Sequence, residues 1–184
     1  MSGEGASSYC TRVKVEKVIH LAGNSRSPTS QKISTRHRAL KAPITMKIYF
    51  CGSIRGGRGD AELYSRIIEQ LKAYGTVLTE HVGFKEPILK HIEGDDVAIH
   101  TQDMAWLEES DVVVAEVTQP SLGVGYEIGR AVAWKKRILC LYRPDDGKGL
   151  SAMVRGAHDG KNFIVKDYQE PEVPGILKEF LSSS

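Results

Sequence analysis

Five short apolar runs, separated by turns and by stretches with helical spacing, constrain this chain more than any other feature. The first covers residues 47–51 and stops at Gly52. Asp60 is placed to cap a helix reaching about residue 74, with Leu63, Ile67, Ile68 and Leu71 on one stripe and Gly75 as its terminator. Further strand-like runs lie at 76–81, 112–116, 137–142 and 162–165. Helices are expected over about 95–109, 125–135 and 172–181, with a short turn or helix at 150–155. Such alternation predicts an α/β fold, a Rossmann-like three-layer sandwich with a five-stranded parallel sheet covered on both faces. Ligands of such sheets bind at the carboxyl ends of the strands, near the switch in strand order. That rule points to the segments after the first and third strands, and both are glycine-rich.

Charge divides the chain of 184 residues unevenly. Residues 1–45 hold eight Lys/Arg against two Glu, whereas 46–184 hold 17 basic against 21 acidic side chains. The basic, Ser/Thr-rich segment 1–45 reads as a disordered tail, with an organellar transit peptide as the alternative. Met46 stands directly before the first strand, so an internal start there would also yield the complete domain 46–184. The mild acidity of that domain argues against a general nucleic-acid surface. No apolar run approaches the roughly 18 residues that a membrane span needs. Cys10, Cys51 and Cys140 are too few and too scattered for a disulfide or zinc framework, which favours a reducing compartment, cytoplasm or nucleus.

The first loop, Gly52, Ser53, Ile54, Arg55, Gly56, Gly57 and Arg58, combines glycines, a hydroxyl and two guanidinium groups. Its spacing matches neither the dinucleotide fingerprint nor a P-loop. It reads either as a tight turn or as a cradle for one phosphate. The second loop runs from Ser121 to Gly129. There Gly123 and Gly125 open a helix, Gly129 allows close packing, and Glu127 falls in the first turn. A carboxylate so placed is either a partner of the helix dipole or a nucleophile kept ionised by the same amides. Asp103 shares a helical stripe with Ile99 and Trp106. It is either a solvated surface acid or a desolvated one with a raised pKa, suited to general acid catalysis. His81 ends the second strand within reach of the site, and the histidines form no cluster with the cysteines that suggests a metal.

Four segments carry a resemblance: YFCGSIRGG at 49–57, VLTEH at 77–81, DVVVAEVTQPSLGVGYE at 111–127 and LSAM at 150–153. Together they resemble the 2'-deoxynucleoside 5'-phosphate N-hydrolases of the nucleoside 2-deoxyribosyltransferase superfamily. The likeness runs from about Lys47 to the last helix and leaves out 1–45 and much of 83–96. It implies a retaining double displacement in which Glu127 attacks C1' of the sugar, Asp103 assists departure of the base, and Tyr49 stands near the sugar. It further implies that Ser121 and the 52–58 loop hold the 5'-phosphate and that Gly123 also binds substrate, with no cofactor and no metal. Ser151, with Met153 beside it, would reach the site from the neighbouring subunit of a homodimer. The implied partner is a small deoxynucleotide, with no nucleic acid and no membrane. A deoxyribosyltransferase and a non-catalytic nucleotide-binding module are the alternatives. The identity of the base is not legible.

Overall fold

The computed structural model describes residues 45–55, 59–84, 95–144 and 149–182. The expected tail, apart from Thr45, lies outside them, as do Gly56, Gly57, Arg58 and most of the 83–96 loop. Five parallel strands form one sheet in the order β2-β1-β3-β4-β5, with β1 at Met46–Cys51, β2 at Gly75–Val77, β3 at Val112–Glu116, β4 at Arg137–Tyr142 and β5 at Phe163–Asp167. The helices are α1 (Ala61–Leu71), α2 (Asp96–Glu109), α3 (Leu122–Ala133), α4 (Ala152–Arg155) and α5 (Val173–Ser182). The expected α/β architecture is therefore present. No helix among the described residues is long and apolar enough to cross a membrane.

Alternation along the strands sorts the core into two layers. Ile48, Phe50, Val112, Val114, Leu139 and Leu141 pack with Leu63, Ile67 and Leu71 of α1 and Val173, Leu177 and Phe180 of α5. Tyr49, Cys51, Val113, Ala115, Ile138 and Cys140 pack with Leu107 of α2 and Val124, Ile128 and Ala131 of α3. The strand order reverses between β1 and β3, so the loops after these two strands diverge over the expected crevice.

Several boundaries differ from the sequence reading, each for a local reason. β2 has three residues, not six, and the chain turns into a 3-10 helix at Glu80–Gly83. The Thr79 hydroxyl accepts from Phe50 N at 2.9 Å and donates to Phe50 O at 2.6 Å, so a side chain replaces the backbone ladder there. Gly75 does not terminate α1, which ends at Leu71. It opens β2, where a Cβ would stand 2.1 Å from Met46 O. Asp60 occupies the N-cap position of α1 but makes no side-chain cap bond. α3 begins three residues earlier than expected, because Ser121 caps it by accepting from Val124 N. Glu127 is thus the sixth helical residue, in the second turn. Among the described residues nothing lies within 4 Å of where a Cβ on Gly129 would be, so none of them packs closely there.

Candidate active site

A cavity of about 760 Å³ opens at the carboxyl ends of β1 and β3. Gly52, Ile54 and Arg55 of the first loop form one side, and Ser121, Gly123 and Glu127 of the second form another. α2 supplies Ile99, Gln102, Asp103 and Trp106, and His81 completes the wall with its ring 5.6 Å from that of Trp106. The size is that of a small-molecule site.

Tyr49 and Cys51 stand two residues apart on β1 and so face the same side, beneath α3. Tyr49 Oη donates to Glu127 Oε1 at 2.6 Å, and the buried Cys51 thiol donates to the same carboxylate. Burial pushes the Glu127 carboxyl up to about 7, the charge of Asp103 adds to the rise, and the two donors oppose it. Burial likewise pushes Asp103 up to about 6, with His100 pulling it down. Burial beside Glu127 drives the Tyr49 and Cys51 groups upward, so both remain protonated donors. The expectation that helix amides keep Glu127 ionised is therefore corrected. It sits beyond the first turn, and its desolvation outweighs its hydrogen bonds. Of the two readings of Asp103, the structure favours the desolvated acid with a raised pKa over the solvated one. Two carboxyls titrating in the same range around one cavity can divide nucleophile and acid roles between them.

Other expected site residues are distributed unevenly. Gly52 must be glycine because a Cβ would meet the Tyr64 ring at 2.8 Å. Ser53 is buried, with its N–H donating to Tyr64 Oη at 3.3 Å, and its side chain does not line the cavity. Arg55 lines the cavity and pairs with Asp96 at 2.9 Å on the surface. Ser151 lines a separate groove of about 460 Å³, next to Ser121, Leu122 and Val124. Met153 is 85% exposed and borders neither space. Sequence reasoning missed Cys51, although its place two residues after Tyr49 was a usable signal, and it missed Gln102 altogether. Among the described residues no group of three His, Cys, Asp or Glu could hold a metal ion.

The family model for nucleoside 2-deoxyribosyltransferase matches residues 48–162. A 5-hydroxymethyl-dUMP N-hydrolase of Branchiostoma floridae is 91% identical over 104 residues, covering 56% of this chain and 99% of that protein. A protein of Nematostella vectensis, named a putative 2'-deoxynucleoside 5'-phosphate N-hydrolase, is 60% identical over 146 residues, 78% of this chain and 99% of its own. The Homo sapiens 5-hydroxymethyl-dUMP N-hydrolase is 59% identical over 138 residues, 74% of this chain and 79% of its own. Among solved structures, a Clostridium botulinum CMP N-glycosidase is similar in fold, with a TM-score of 0.50 at 21% identity over 73% of this chain and 98% of its own. The chain belongs to the nucleoside 2-deoxyribosyltransferase family and is an N-hydrolase within it, a glycosidase.

Proposed function

We propose that the protein hydrolyses the N-glycosidic bond of 2'-deoxynucleoside 5'-monophosphates, releasing a free nucleobase and 2-deoxyribose 5-phosphate. The observation that carries this reading is the pair of desolvated carboxyls, Glu127 and Asp103, on one cavity between two glycine-rich loops. Glu127 attacks C1' as the C1'–N bond breaks, and the bonding pair leaves with the base, which Asp103 protonates. Water then attacks C1' of the glycosyl ester, gives its proton to Asp103 and frees Glu127. A retaining reaction of this type places its carboxyls roughly 5 Å apart, by analogy with O-glycosidases. The oxocarbenium-like transition state forms more readily without an electron-withdrawing 2'-hydroxyl, which favours a deoxy sugar.

Arg55 and the loop backbone, with Ser121, take the 5'-phosphate. Trp106 and Ile99 offer apolar surface to the base. Substrates named in the curated relatives, 5-hydroxymethyl-dUMP above all, belong to this class.

The working enzyme is a homodimer in which Ser151 and Met153 serve the partner's cavity. In support, α3 exposes Leu122 (96%), Tyr126 and Val132, with open space over Gly125 and Gly129, and α2 fully buries only Leu107. The cytoplasm and nucleus, where Cys51 and Cys140 stay reduced, are its proposed compartments. Incubation with deoxy- and ribonucleoside monophosphates, including 5-hydroxymethyl-dUMP, tests the reading by release of free base. Release from deoxynucleotides alone is expected. No release from any of them, or exchange of the sugar onto an added second base in place of hydrolysis, overturns it.

A further inference from the structure

Glu116, the last residue of β3, follows Ala115 and therefore points to the sheet face opposite Tyr49 and Glu127. It is fully buried. Its Oε1 accepts from Tyr168 Oη at 3.2 Å and from the Thr118 hydroxyl, and its Oε2 accepts from Thr118 N at 3.3 Å. Arg143, which follows β4, places Nη2 2.6 Å from Asp60 Oδ2 and Nε 3.7 Å from Glu116 Oε1. Its backbone N–H donates to Thr118 Oγ1 at 2.8 Å.

These partners have telling places in the chain. Asp60 ends the first glycine-rich loop and begins α1, and its carboxylate turns to Arg143 in place of capping the helix. Thr118 stands at the head of the second loop, three residues before the cap Ser121. Tyr64, one turn into α1, accepts from Ser53 N at the other end of the first loop. One residue therefore joins the far end of the first loop to the near end of the second. Neither connection passes through the cavity.

We propose that Arg143 is a positioning residue for the reaction, holding the two substrate loops at a fixed separation through Asp60 on one side and Thr118 with Glu116 on the other. This rests on the reading that both loops bind one deoxynucleotide. The two carboxylates share a single cation, so loss of either the guanidinium or Asp60 frees the first loop while Glu116 keeps its hydroxyl donors. Binding of the phosphate then suffers more than chemistry at C1', because Glu127 is held from the other face by Tyr49.

The test uses the full chain with Asp60→Asn, Arg143→Gln, Arg143→Lys and the double variant Asp60→Asn/Arg143→Gln. For each, kcat and KM for base release from dUMP are measured with Kd for dUMP by calorimetry and the melting temperature. Expected are a rise in KM of about tenfold for Asp60→Asn and for Arg143→Gln, with kcat within about threefold. The double variant is no worse than the weaker single, since both remove the same link. Arg143→Lys restores part of the loss. Folded variants with KM within about twofold of the parent, or losses that multiply in the double variant, overturn the proposal. If Arg143→Gln fails to fold, Asp60→Asn, whose side chain is 25% exposed, carries the comparison with the parent. A parent that binds dUMP but releases no base defeats the hydrolase reading alone, and the Kd ratios between parent and variants still decide the role of Arg143.

Discussion

Two carboxylate pairs flank the carboxyl end of this sheet on opposite faces, and they are built to opposite rules. Glu116 and Asp60 share the Arg143 guanidinium, and Glu116 also collects donors from Thr118 and Tyr168. Glu127 and Asp103 face a cavity, form no ion pair among the described residues, and are pushed up to about 7 and about 6 by burial. Burial raises Glu116 as it raises Glu127 and Asp103, but only Glu116 is held by a guanidinium as well as by hydroxyl donors. A partnered carboxylate holds structure, whereas a desolvated one without a guanidinium titrates close to neutrality and can give up or take a proton there.

The comparison is broken most directly at Glu127. Glu127→Gln removes the proposed nucleophile while keeping the shape, and base release is expected to fall by at least about 10³-fold with dUMP binding retained. Single-turnover assay with calorimetry checks this, and turnover near the parental rate would remove Glu127 from the mechanism. Asp103→Asn is next, with an expected loss of about 10²-fold. The parental pH profile of kcat/KM should be a bell with limbs near 6 and 7. The proposed mechanism needs Glu127 ionised and Asp103 protonated, so activity should rise as the pair loses its first proton and fall as it loses its second. The alkaline limb is expected to vanish in Asp103→Asn, and a profile flat from pH 5 to 9 in the parent would contradict the assignment.

The other face should answer in stability. Glu116→Leu leaves Arg143 without its buried carboxylate and two hydroxyls without an acceptor, at a cost of about 3 kcal/mol by denaturant titration. Glu127→Gln should act in the opposite sense. The Glu127 carboxyl ionises at about 7 when folded, above its ordinary range, so ionisation is penalised in the folded state. The parent therefore loses stability as pH rises from that ordinary range through about 7. The glutamine variant avoids this loss and should melt about 2–4 °C higher at pH 8. Equal destabilisation by both substitutions would erase the distinction between the pairs.

Much of this was legible in the chain. Short apolar runs located the five strands and the period-3.6 pattern the main helices, because apolar length and spacing report which residues are buried. The glycines at 52 and 123 and the acids at 103 and 127 marked the right end of the sheet. Three local features escaped the pattern. The early stop of β2 depends on the Thr79 hydroxyl taking over the ladder with Phe50. The early start of α3 depends on Ser121 accepting from Val124 N. The failure of Asp60 to cap α1 depends on Arg143, which lies 83 positions away. In each case a side chain chose among partners that the local sequence offers equally.

Sequence by itself determined the α/β alternation, the positions of the two glycine-rich loops and the residues able to do acid–base chemistry, since these follow from residue type and spacing. Tertiary structure alone decided the protonation balance of Glu127 and Asp103. It also decided the recruitment of Cys51 to Glu127, the withdrawal of the Ser53 side chain from the cavity and the bridging of the loops by Arg143. The reason is physical: desolvation and charge pairing depend on distances through space, and those are set only when strands far apart in the chain lie side by side.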